Sequence, residues 1–186
     1  MTLLEMKKKV LGLIEELNID SKKLTDDPDI ATKLNDVINQ IMFELCRFKK
    51  IPKYIELAVT KGEIITLAEL ERACGYSVYQ VSNFGNVDNT PKASGTVFKI
   101  NETGTAEVDL FVYPERITDK TKDDYEFELS DDVLEIMPYG VAAHLLLSDV
   151  SAEYGSVYGK EYEKMLNRLD PRYKMASVYI DGGYSV

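Results

Sequence analysis

Apolar positions recur at helical spacing near both ends of this chain and alternate at strand spacing in its middle. Leu3, Leu4, Met6, Val10, Leu11, Leu13, Ile14 and Leu17, with lysines and glutamates between them, predict a helix that Asn18-Ile19-Asp20-Ser21 stops. A second helix has a marked start, with Asp27 as N-cap, Pro28 at the first helical position and Asp29 in the first turn. Ile30, Leu34, Val37, Ile38, Ile41, Leu45 and Phe48 follow at spacings of three and four, which predicts one wide apolar stripe. Lys49 and Lys50 suit the negative end of the helix dipole, and Pro52 follows.

The middle reads as strands and turns. Tyr54 to Val59 predicts a strand, Lys61-Gly62-Glu63 a turn, Ile64-Ile65 the start of a strand, and Leu67 to Ala73 a short helix ended by Gly75. Tyr76 to Val81 alternates as a half-buried strand does, and Asn83 to Gly95 is loop-like. Thr96 to Ile100 and Thr105 to Tyr113 flank Asn101-Glu102-Thr103-Gly104, which predicts a hairpin with a four-residue loop.

Helical patterning then returns. Ser130 is the expected N-cap of a helix with Asp131, Asp132 and Glu135 near its start, and Pro138 should kink it or end its first part. Val141 to Leu147 is apolar enough to be buried on most sides. A last helix from about Ser151 to Leu169 has Tyr154, Val157, Tyr158, Tyr162, Met165, Leu166 and Leu169 as its expected inner stripe, and Pro171 ends it. Beyond it, Val178-Tyr179-Ile180 has strand character with no partner in its own segment.

These elements predict a mainly α fold with an inserted β unit. A four-helix bundle would be built from a helix pair in 1–50 and another in 129–170. A β-rich insertion and acidic connection fills 51–128, and 171–186 is an extended tail. With 186 residues the chain is long enough to bury a core without metal or disulfide.

The formal charge of −10 argues against non-specific binding to nucleic acid, which needs a basic surface. The charge is uneven: residues 113–186 carry eight basic and fifteen acidic side chains, whereas residues 1–50 carry nine of each. Cys46 and Cys74 are too few for a disulfide framework or a zinc site, so reduced thiols in a cytoplasmic setting are expected. Met1 to Leu17 lacks the pattern of a signal peptide, and no apolar run is long enough to span a bilayer.

Catalytic patterns are sparse. His144 is the single histidine and sits in an apolar helical segment, where it reads as a packed or interface residue. Gly155-Ser156-Val157-Tyr158-Gly159-Lys160-Glu161 is one residue short of a phosphate loop and has Glu161 where Ser or Thr belongs; its glycines suit close helix packing. Asp123, Asp124, Glu126 and Glu128 are oxygen donors, but the glycine-bearing loop of a calcium site is missing. The ladder Tyr154, Tyr158, Tyr162 suits a helix core or a subunit interface. No enzyme, cofactor or metal is expected.

Taken in order, Tyr113 to Thr118, Asp123 to Leu129, Leu134 to Ala143, Ser148-Asp149 and Tyr158 to Leu169 resemble the head–tail adaptor (connector) proteins of tailed phages and prophages. The likeness covers roughly residues 27–50 and 113–170. It implies a virion structural protein, assembled in the host bacterial cytoplasm and placed in the neck at the portal vertex. Identical subunits would form a ring beneath the portal protein, extend the DNA channel and offer a docking surface to a stopper or tail-terminator protein. Genomic DNA would pass without specific binding, and no membrane is involved.

With on the order of a dozen copies at −10 each, the ring would carry about −120. Asp123, Asp124, Glu126 and Glu128 are the expected luminal acids. Pro138, Tyr139, His144, Tyr154, Tyr158 and Tyr162 are the expected ring and bundle contacts, and Val178, Tyr179, Ile180 and Tyr184 the partner-docking tail. Alternatives are a tail-completion or stopper protein of the neck, or a non-viral soluble protein.

Overall fold

The structure is a computed structural model that describes residues 1–18, 23–85, 87–88, 97–147 and 152–169. The chain forms two compact units, one from Met1–Lys49 with the chain from Arg116 onward, the other from Lys50–Glu115.

In the helical unit, α1 (Leu3–Leu13) begins with a capping box in which Thr2 and Glu5 each accept the other's backbone N–H. Two further N–H groups at its start donate to the acidic segment: Leu3 to the Tyr125 carbonyl at 2.8 Å and Leu4 to that of Asp123 at 3.0 Å. Helix α2 (Pro28–Phe48) starts as its sequence predicts, with the Asp27 carboxylate accepting from the N–H groups of Asp29 and Ile30. Its buried face carries Leu34, Ile38, Ile41, Met42 and Leu45, whereas Phe48 is exposed. Helix α4 (Asp131–Leu147) packs against α1, α2 and α5 (Ala152–Leu169).

The β unit holds β1 (Ile51–Val59), β2 (Ile64–Thr66), α3 (Leu67–Cys74), β3 (Val78–Phe84), β4 (Val87–Asp88), β5 (Val97–Ile100) and β6 (Gly104–Val112). Helix α3 ends on Gly75 at φ +77°, a left-handed cap that glycine adopts without penalty. The sheets are ordered β1-β6-β3 and β2-β5-β4, and all their pairs are antiparallel. Glu63 O accepts from Ile100 N–H at 2.9 Å, and Ile100 O accepts from Gly62 N–H at 2.8 Å. The β1–β2 run therefore pairs with the β5–β6 run across the bend. Ala106, Val108, Leu110 and Val112 point one way from β6 into the core, as strand alternation requires.

Three expectations are corrected by this architecture. The chain is not a mainly α four-helix bundle but a mixed α/β protein, with five helices and six strands in two antiparallel sheets among the described residues. The reason is that α4 is apolar over most of its circumference, with ten of its seventeen residues buried. It is enclosed by α1, α2 and α5 instead of sharing one seam with equals, and residues 50–115 bury a core of their own. Second, the strands 97–100 and 104–112 do not form a hairpin with each other. Strand β6 finds nine register partners on β1, from Ile51↔Val112 to Val59↔Gly104, which the four residues of β5 cannot match. Third, of the two outcomes expected at Pro138, a kink or an end, the end does not occur, since α4 runs on to Leu147. Packing on all sides holds the helix through the missing hydrogen bond, and Pro138 itself is buried.

Candidate interaction surfaces

The helical unit brings the tyrosines together along α4 and α5, though not on the face that their spacing predicts. Gly155 is buried against α4, where an added Cβ would lie 3.2 Å from both Ala143 O and Leu147 N. Gly140 on α4 faces the Tyr162 ring, which would stand 2.7 Å from its Cβ. These glycines let the two helices approach closely and rotate α5 so that its inner face runs Gly155, Tyr158, Tyr162. Tyr154 and Val157 are therefore not core residues. They are 68% and 62% exposed, and Leu147 at the end of α4 is 57% exposed.

Tyr162 is the most buried of the ladder, and its hydroxyl lies by the Glu44 carboxylate; burial first, then that negative charge, pushes its ionisation upward. Tyr158 is half-buried, donates its hydroxyl to the Leu13 carbonyl and meets the Tyr139 ring at 6.5 Å. Between α1 and α5 two cavities flank this Tyr158–Leu13 bond. One, of about 300 Å³, is lined by Leu13, Ile14, Glu15, Leu146, Tyr154 and Tyr158. The other, of about 410 Å³, is lined by Lys9, Leu13, Glu135, Pro138, Tyr139 and Met165. His144 is half-buried and meets Gln40 of α2, Nδ1 to Nε2 at 3.3 Å.

Asp123, Asp124, Glu126 and Glu128 all have exposed side chains. Their segment has a definite structural task, since it supplies carbonyls to the start of α1 and pairs Glu126 with Thr2 in a β-bridge. The Asp123 carboxylate lies 3.5 Å from the Lys7 ammonium. Val178, Tyr179, Ile180 and Tyr184 lie outside the described residues.

Among the described residues no group of His, Cys, Asp and Glu is arranged to hold a metal ion, and no helix is long and apolar enough to cross a membrane. Cys46 is fully buried, and that burial pushes its thiol up to about 11, so it is a poor nucleophile. Sequence reasoning missed Leu13, Ile14, Leu146 and Leu147 as surface-forming residues and Gly140 as the seat of Tyr162. The signal for the rotation was present in Gly155 and Gly159, which share one face of α5 with Tyr162.

No family model matches the chain, and no curated protein matches it.

Proposed function

We propose that this protein is a virion structural component, a head–tail adaptor that oligomerises beneath a portal and presents a docking surface to the next neck protein. The observation that carries this reading is the exposure of three large apolar side chains, Leu147 at the end of α4 and Tyr154 and Val157 near the start of α5. Three large apolar side chains held on rigid helices suit contact with an identical copy, and tyrosine tolerates an interface with one apolar and one wet side. The ordered likeness of residues 113–170 to phage adaptors supports the same assignment, as does a net charge of −10, which would keep passing DNA from adhering.

The test is electron microscopy of particles from the genetic element that carries this gene, with and without the gene. Filled heads without tails, or heads that leak DNA, are expected on deletion. Tailed, infectious particles would overturn the proposal, and tails lacking only their head-proximal end would favour a tail-completion role.

A further inference from the structure

Strand β1 is the outer strand of its sheet, since the order is β1-β6-β3 and, among the described residues, no strand flanks β1 on its other side. The two edges of this sheet differ. Strand β3 meets β6 with register shifts between Val78 and Gln80 and between Val81 and Asn83, irregularities that blunt an edge against further pairing. Strand β1 matches β6 residue for residue from Ile51 to Val59, so its outer edge is long and regular. Pro52, which lacks an N–H, protects only the start of that edge. Alternate residues of an edge strand point their N–H and C=O groups outward, where a further strand can take them.

The side chains of β1 are suited to such an addition. Its odd-numbered residues face the core of the β unit. Between the buried ends Ile51 and Val59, the inward-facing Ile55 and Leu57 are only half-buried, although α3 touches β1. On the outer face Tyr54 is 53% exposed and donates its hydroxyl to Glu56 at 3.0 Å.

A second β1 can lie antiparallel to the first about a twofold axis. Centred on Ile55, the pairing uses the whole strand: Tyr54 opposes Glu56, Lys53 opposes Leu57, and Ile51 opposes Val59. Centred on Lys53 or on Glu56, it sets like charges directly opposite, which is unfavourable. Centred on Tyr54, it leaves Ala58 and Val59 outside the ladder. The Ile55 register also covers the half-buried Ile55 and Leu57. It brings a tyrosine hydroxyl beside each Glu56, whose neighbour on β6 is Glu107.

We propose that the free protein dimerises through β1, edge to edge about Ile55, and so joins two copies in one continuous sheet, β3-β6-β1-β1-β6-β3. A twofold pair cannot close a ring whose copies all face one way, so subunits entering such a ring would have to separate first. The dimer belongs to the free chain and does not rest on the adaptor role.

The test uses the full chain. Its mass by light scattering should rise with concentration from 21.1 kDa toward twice that value. Ile55→Lys sets two lysines on the axis and should weaken dimerisation about tenfold, with the circular dichroism spectrum unchanged. Tyr54→Cys mixed with Glu56→Cys under mild oxidation should link residue 54 of one copy to residue 56 of the other, read by peptide mapping, whereas neither variant alone should link to itself there. A monomer at every concentration, dimerisation that Ile55→Lys leaves unaltered, or β1 linkages in another register would each overturn the proposal.

Discussion

The side-chain amide of Asn39 is paired with both backbone groups of Ile117: Nδ2 donates to the Ile117 carbonyl at 2.7 Å, and Oδ1 accepts the Ile117 N–H at 2.8 Å. Both residues are buried, so neither backbone group has water as a substitute. This one contact ties α2 to the strand-free segment that leads into α4. It explains why the chain from Arg116 onward belongs with the helices and not with the β unit.

Replacing Asn39 by Ala or Leu therefore orphans a buried N–H and a buried C=O together. At roughly 1–3 kcal/mol for each unsatisfied buried group, a loss of about 3 kcal/mol is expected. Urea denaturation should show a lower midpoint with an unchanged slope.

The fit of Gly140 against Tyr162 predicts a steric penalty. Ala at 140 would put its Cβ 2.7 Å from the ring, and Tyr162 is itself too enclosed to swing away. Gly140→Ala should cost roughly 1–3 kcal/mol, against the usual helix preference for alanine. Gly140→Ala with Tyr162→Leu should cost less than the sum of the two single changes, which a double-mutant cycle in thermal or urea unfolding measures.

The C-terminal end of α1 has the opposite character. Glu16 N–H reaches the Leu11 carbonyl and Glu15 N–H that of Gly12, so Glu15 occupies the left-handed cap position, at φ +62°. Glu15→Gly should gain about 0.5–1 kcal/mol after glycine's extra unfolded-state entropy is subtracted. Gly12 lies within α1 with open space where a Cβ would stand, so Gly12→Ala should gain up to about 1 kcal/mol. Both should appear as a raised Tm.

Stability should also respond to pH through Asp132. The Lys49 ammonium, 2.7 Å away, holds its carboxyl below the usual aspartate value, with Ser130 contributing next. A carboxyl lowered in the folded state adds stability above its unfolded pKa and loses it as pH falls through the folded one. The stability difference between the unsubstituted protein and Asp132→Asn should thus be full above about pH 5 and vanish by about pH 2. The pair is 52% and 44% exposed, so solvent screening keeps the difference below about 1 kcal/mol. Urea midpoints measured across the acid range check this.

Local chemistry was legible in the residues themselves. Asp27-Pro28 starts α2, Gly75 ends α3, and Tyr54 to Val59 reads as a strand, which the structure extends back to Ile51, because caps, left-handed turns and pleats act over four residues or fewer. The apolar run Val141 to Leu147 was legible as burial on most sides, and the structure buries Val141, Ala142, Ala143 and Leu145 while leaving His144 and Leu146 half-buried and Leu147 exposed.

Partner choice was not legible. Whether β6 pairs with β5 or β1, whether α5 turns its glycines or Tyr154 inward, and which carbonyl takes the Asn39 amide depend on distant surfaces competing for the same groups. Such contests turn on ladder length, close approach and unsatisfied buried atoms, and these exist once the elements have met. Sequence periodicity supplied the rods and ribbons; the three-dimensional packing assigned their neighbours.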